Sequence, residues 1–236
     1  MTSFYGRVQE LQKLSNLYAA EKQSAVVVYG RLGVCKTALL KESLRQVSYT
    51  SIYYTCHEIS EYHNIESLTN LVAEIYPDVP RNLSCLEFVL KFLFQKALSE
   101  PIILVLDEYP YLRHAVLGMD SILQALLDRF EESSKLIVIL CGSSISTMKS
   151  LFSIHNPLYG LIRGLIYLKP FDYYNIAQFY PEYSDEDKIT LYGVFDGIPY
   201  YNILINQRES VYENIMRLVI ETGSYLENEI SQYLQL

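Results

Sequence analysis

The sequence predicts an α/β fold: a parallel sheet flanked by helices, followed by a small C-terminal helical subdomain. Three observations predict it. Apolar, mostly β-branched runs recur at residues 24–29, 102–106 and 136–140, the composition of strands buried on both faces. Segments of helical periodicity separate them, the alternation that builds a covered parallel sheet. After Pro170 no strong strand signal follows, only short helical segments.

The elements follow in chain order. Residues 7–21 set Leu11, Leu14, Leu17 and Tyr18 on one helical face. Residues 24–29 are the first strand, and residues 36–47 bring Leu39, Leu40 and Leu44 together on a helix. Residues 51–56 read as a second strand and residues 64–76 as a helix. Residues 84–99 form another helix, with Leu86, Val89, Leu90, Leu93 and Phe94 as its apolar face. Residues 102–106 are a buried strand, residues 119–132 a helix, and residues 136–140 the next buried strand. A short helix over 144–152 and a last strand over 165–168 complete the core. Residues 172–181, 184–195, 199–206 and 209–222 read as short helices. The expected division is therefore an α/β core over 1–170 and a helical subdomain over 171–236, with residues 224–231 resembling the opening of another element.

The bulk properties set limits. With 236 residues, 50% of them hydrophobic, the chain can bury a full core. A net charge of −8 argues against a broad nucleic-acid-binding face, which needs clustered Lys and Arg. Cys35, Cys56, Cys85 and Cys141 make no C-x-x-C pair and no zinc spacing, which fits a reducing cytoplasm. The N-terminus lacks the apolar core of a signal peptide, and no apolar run nears the roughly 20 residues of a membrane helix. His57, His63, His114 and His155 are scattered and carry no ligand pattern. Gln124, Asp128, Arg129, Glu131 and Glu132 read as the solvated face of one helix, with Arg129 alternatively an arginine finger for a neighbouring subunit.

The chemistry-bearing stretch is Tyr29-Gly30-Arg31-Leu32-Gly33-Val34-Cys35-Lys36-Thr37-Ala38. A strand, a glycine-containing loop and Lys-Thr opening a helix make the phosphate-binding loop G-x-x-x-x-G-K-[ST], with Cys35 where the second motif glycine stands. Successive backbone N–H groups of such a loop, together with the helix start, surround phosphate oxygens. Gly30 lets the chain leave the strand sharply, Lys36 would reach the β- and γ-phosphates, and Thr37 would offer its hydroxyl to Mg²⁺. The glycine normally found at position 35 serves either a close backbone approach to phosphate or dihedrals that suit only glycine.

The second half of the site is Ile102 to Glu108. A buried strand delivers Asp107 to its C-terminal end, where ligands bind in open α/β sheets. Asp107 would hold Mg²⁺ through water, and Glu108 would orient and deprotonate the attacking water. The strand over 136–140 leads to Ser143, which reads equally as a γ-phosphate sensor or as a helix cap.

Around these motifs the chain resembles the archaeal-type ATPase family of the signal-transduction (STAND) branch related to AAA+ ATPases. Phe4-Tyr5-Gly6-Arg7 with Glu10-Leu11 is similar to the family's F-x-G-R-x-x-E-L opening. Asp107-Glu108 is similar to its acidic pair, Asn156 to Gly160 to its N-P-L-Y-G stretch, Leu168 to Phe171 to its L-x-P-F, and Gly197 to Tyr200 to its G-x-P-Y. The resemblance implies ATP or ADP binding, hydrolysis with Mg²⁺, and adenine held between the Phe4–Arg7 opening and a helical lid around Pro199. It also implies that family members usually continue into a winged helix and often a nuclease-like domain, neither of which is expected here. The chain departs from the pattern at Cys35, and at Leu161 and Ile162, where two arginines are usual and Arg163 is the nearest substitute.

The expected function is an ATP-binding ATPase whose hydrolysis drives a conformational switch, with a protein partner or a second copy and no membrane. A degenerate module that holds nucleotide without turning it over is the alternative, and Cys35 favours it. A phosphotransferase on the same core would need an acceptor pocket that the sequence does not display.

Overall fold

The computed structural model describes residues 5–81, 85–131, 133–224 and 226. They divide into two compact units: residues 7–32 with 36–168, and the described residues among 1–6, 33–35 and 169–236.

The first unit is built on five strands: β1 (Ser24–Tyr29), β2 (Thr50–Thr55), β3 (Ile102–Asp107), β4 (Leu136–Gly142) and β5 (Ile162–Tyr167). They lie in the order β2-β3-β4-β1-β5, and every neighbouring pair is parallel. Every residue of β1, β3 and β4 is buried, which is why these three read as continuous apolar runs. The edge strand β5 alternates partly buried and exposed positions, so only its apolar end at Leu165–Tyr167 stands out in sequence. It begins at Ile162, three residues earlier than expected, and its pairing with β1 shifts register at Ala25/Val26.

The helices of this unit are α1 (Val8–Ala19), α2 (Lys36–Arg45), α3 (Glu61–Ile75), α4 (Leu86–Lys96), α5 (Tyr109–Ala115), α6 (Met119–Arg129) and α7 (Ile145–Ser150). Leu86, Val89, Leu90, Leu93 and Phe94 form the buried stripe of α4, and the Phe94 ring stacks on Phe130 with centroids 5.4 Å apart. Helix α5 is absent from the sequence-based expectation. Its seven residues are too few to show a period, and Pro110 masks it, although proline suits a first helical turn. Because all five strands run the same way, the chain leaves β1, β3 and β4 at one end of the sheet.

The second unit holds α8 (Tyr173–Ile176), a 3₁₀ turn (Ala177–Phe179), α9 (Asp185–Phe195), α10 (Pro199–Asn202), α11 (Val211–Ile215) and a π turn (Met216–Ile220). Its core gathers Phe171, Ile176, Tyr180, Leu191, Phe195 and Leu218. The helices expected over 199–206 and 209–222 are shorter or change type. The sequence motifs explain part of its packing. Phe171 N–H donates to the Gly197 carbonyl at 2.6 Å, and a Cβ on Gly197 would stand 1.7 Å from the Phe171 oxygen. Only glycine allows that approach. The Tyr180 hydroxyl donates to the Asn202 side-chain oxygen, and Asn202 returns its amide protons to the Asp196 and Ile198 carbonyls.

Candidate functional site

Lys36 is the first residue of α2 and is 6% exposed. Its ammonium donates to the carbonyls of Gly30 at 2.9 Å and Arg31 at 3.1 Å, so it lies against the chain that leaves β1. One turn of charge is thereby held beside a loop that leads into a helix start, the arrangement that attracts phosphate. Thr37, next on α2, donates its hydroxyl to Asp107 Oδ2 at 2.8 Å. The two motifs recognised separately in the sequence therefore meet in space.

Asp107 ends β3 and is 3% exposed. Besides Thr37 it accepts from the Tyr53 hydroxyl on Oδ2 at 2.5 Å and from the Glu108 N–H on Oδ1 at 3.0 Å. Burial, then the bond to Asp107, pushes the Tyr53 hydroxyl far up, so it remains a donor. Burial and the Asp107 charge likewise raise the Cys56 and Cys141 thiols, which keeps both protonated and unreactive. A hydroxyl and a carboxylate side by side are hard oxygen donors of the kind Mg²⁺ takes. The Thr37 proton is given to Asp107, which leaves both hydroxyl lone pairs for a cation. The residues present therefore fit Mg²⁺.

Glu108 caps α5 in the left-handed region, at φ 53°. Its carboxylate is held at both oxygens by Ser143: the hydroxyl donates to Oε1 at 2.5 Å and the N–H to Oε2 at 3.2 Å. The helix-cap position before α7 belongs to Ser144, whose hydroxyl pairs with Thr147 at 2.8 Å, so Ser143 does not serve as a cap. Strained backbone of this kind is retained where surrounding contacts over-determine it, and it clusters at functional positions.

Cys35 shares that backbone region, at φ 65°, with its sulfur 3.9 Å from the Gly33 carbonyl oxygen. Of the two roles open to the motif glycine, left-handed dihedrals are the one this position keeps. Gly33 is also left-handed, at φ 84°, and its carbonyl accepts from Tyr200 N–H at 3.2 Å within the second unit. Val34 is fully buried, while Thr37 and Ala38 are exposed. Pro199 starts α10 and is buried. Arg7 is a left-handed cap on α1, 8% exposed, with its guanidinium 3.4 Å from Glu10. Phe4 lies outside the described residues.

Two arginines find other surroundings. Arg163 lies on β5 beside Ala25 and Val26, at the start of β1, and pairs with Glu131 at 3.5 Å. That is the far end of the sheet from Lys36, which begins the helix after β1. Arg163 lines a cavity of about 640 Å³ with Lys22, Ser24 and Lys135. Arg129 sets its guanidinium over the Phe130 ring at 5.7 Å, and Glu132 of the same expected face lies outside the described residues.

The sequence also hides a buried network under α5. Asp120, 7% exposed, accepts from Tyr109 at 2.7 Å and Asn156 at 2.7 Å, and pairs with Arg113 at 2.8 Å. Asn156 opens the N-P-L-Y-G stretch, so that motif anchors the chain before β5 to the helices after Glu108. Among the described residues no three His, Cys, Asp or Glu gather as a metal cluster, and no helix is long and apolar enough to cross a membrane.

A parallel sheet with a glycine-containing loop after β1 and an acidic pair after β3 is the fold of P-loop ATPases. The chain belongs to a family of ATPase domains found predominantly in Archaea, which it matches over residues 4–205. It is 29% identical over 199 residues to MJECL04, an uncharacterized protein of Methanocaldococcus jannaschii. That match takes in 84% of this chain and 43% of the relative, so the chain spans less than half of that protein's length. Among solved structures, a Walker-type ATPase of Pyrococcus abyssi superposes with TM-score 0.72 at 21% identity, over 98% of this chain and 76% of that one. The ADP form of the Aeropyrum pernix ORC2 protein superposes with TM-score 0.65 at 16% identity, over 86% and 63% of the two chains.

Proposed function

We propose that this chain binds ATP or ADP together with Mg²⁺ and hydrolyses the γ-phosphate of ATP. The observation that carries the proposal is the 2.8 Å bond between Thr37 and Asp107, which joins the two motifs the chemistry needs. Backbone N–H groups of residues 33–37 cradle the phosphates, with Gly30 turning the chain into the loop and Ala38 continuing it into α2. Lys36 exchanges its bonds to the Gly30 and Arg31 carbonyls for the β- and γ-phosphates. Thr37 and Asp107 hold Mg²⁺, which when bound neutralises charge on the phosphate oxygens. Glu108 takes a proton from the attacking water, once Ser143 turns its hydroxyl from Glu108 to the γ-phosphate. The resemblance of Phe4–Arg7 and of Gly197–Tyr200 to the family's motifs supports adenine at Phe4, Arg7 and Pro199. The ADP carried by the ORC2 relative supports a nucleotide of this class.

Hydrolysis in such a domain drives a conformational switch, read by a protein partner or a second copy, in a cytoplasmic setting. The helical segment from residue 171 is the element we assign to that switch. Calorimetric titration tests the binding step. ATP should bind with Mg²⁺ more tightly than with EDTA, and Lys36→Ala should lose most of that affinity. Equal heats for wild type and Lys36→Ala would reject the phosphate loop. The Cβ carried by Cys35 favours a second reading, a module that holds nucleotide without turnover, for which ATP would bind and no phosphate would be released.

A further inference from the structure

We propose that Tyr53 is a positioning residue: it fixes the Asp107 carboxylate so that Thr37 and Asp107 present their oxygens to a divalent cation. The proposal rests on the assignment of Thr37 and Asp107 as the Mg²⁺ pair.

Register explains how the two residues meet. On the parallel pair β2 and β3, Tyr53 stands opposite Val105 and Thr55 opposite Asp107. Tyr53 and Asp107 therefore share one face of the sheet, one pleat apart, a gap that only a long side chain bridges. Tyr54, the next residue, points to the other face, where its hydroxyl meets Asn64 at 2.6 Å. The Tyr53 hydroxyl reaches Asp107 Oδ2 at 2.5 Å, the short distance of a donor on a charged oxygen. Its ring is held from α2 by the Lys41 ammonium, 5.4 Å from the centroid. The tyrosine is thus fixed at both ends, by the helix that carries Thr37 and by the strand that carries Asp107.

The Asp107 Oδ2 atom then has a defined task. Oδ2 is shared by two hydroxyls, so the carboxylate cannot rotate without breaking both bonds. With Oδ2 fixed, the Thr37 proton stays on Asp107 and the Thr37 lone pairs stay turned outward. Tyr53 acts through Asp107, to which its hydroxyl donates. Partners that orient metal ligands in this way carry about 10- to 100-fold of metal affinity.

The test uses Mn²⁺ as the probe, titrated into the protein with saturating ATP and followed by its electron paramagnetic resonance. Tyr53→Phe keeps the ring and the Lys41 contact and removes only the donor. It should weaken Mn²⁺ by about 10- to 100-fold while leaving ATP affinity in EDTA at the wild-type value. Asp107→Asn is measured beside it. If Asp107→Asn loses Mn²⁺ and Tyr53→Phe does not, the positioning role is wrong and the metal pair stands. If Asp107→Asn also keeps Mn²⁺, the metal pair falls and the role of Tyr53 with it. A Tyr53→Phe protein that loses ATP affinity equally with and without the cation would make Tyr53 a packing residue and overturn the proposal.

Discussion

Replacing Cys35 by glycine should stabilise the protein, whereas replacing it by alanine should not. Cys35 holds φ 65°, where a Cβ costs about 1–2 kcal/mol. Removing the Cβ recovers that strain. Against it stands the larger entropy that glycine loses on folding, about 0.5–1 kcal/mol. At mid-range the difference leaves a net gain of about 0.75 kcal/mol, or a rise of about 1.5–3 °C in melting temperature for a chain of this size. Alanine keeps the Cβ and with it the strain, and loses the 3.9 Å contact of the sulfur with the Gly33 carbonyl. Paired thermal and denaturant unfolding of wild type, Cys35→Gly and Cys35→Ala reads the difference. A Cys35→Gly protein no more stable than Cys35→Ala would show that the backbone carries no strain at this position. Because the loop already holds glycine-type dihedrals, the same substitution should tighten ATP only through the space that the side chain vacates.

Three further outcomes follow from the packing. Asp120→Ala should cost about 3 kcal/mol by denaturant unfolding, since it strands Arg113, Tyr109 and Asn156 together; a loss under about 1 kcal/mol would dismiss the network as a stabilising one. Gly197→Ala should destabilise the protein by about 3 kcal/mol or more, because its Cβ would fall 1.7 Å from the Phe171 carbonyl oxygen, and wild-type melting would refute that close approach. Burial pushes the Tyr18 and Tyr54 hydroxyls up from 10.0 to about 12, so the unfolded chain ionises first. Their contribution is complete below about pH 10 and is lost as the pH rises toward 12, a loss that denaturant titrations across that range would read.

Much of the core could be read from residue types alone. The strand expected over 24–29 is the strand observed, because β1 is buried at all six positions and shows an unbroken apolar run. β5 was readable only at its apolar end, since an edge strand with exposed alternate residues gives a weak signal. Thr37, Asp107 and Glu108 stood out because the two motifs fix a residue type at a strand end or helix start. Tyr53 was not, since one tyrosine among 22 carries no mark of its task until the β2–β3 register sets it one pleat from Asp107. The left-handed backbone of Cys35 and Glu108 was equally hidden, because neither residue type announces that conformation.

The central claim is that Glu108 activates water against ATP bound at Lys36 and Thr37. Phosphate release from ATP with Mg²⁺, measured for wild type and Glu108→Gln at matched nucleotide occupancy, tests it most directly. Wild type should release phosphate, and Glu108→Gln should bind ATP equally well yet turn over about 10²- to 10⁴-fold more slowly. Equal release by the two proteins, or none by a wild type that is saturated with ATP and Mg²⁺, would contradict it.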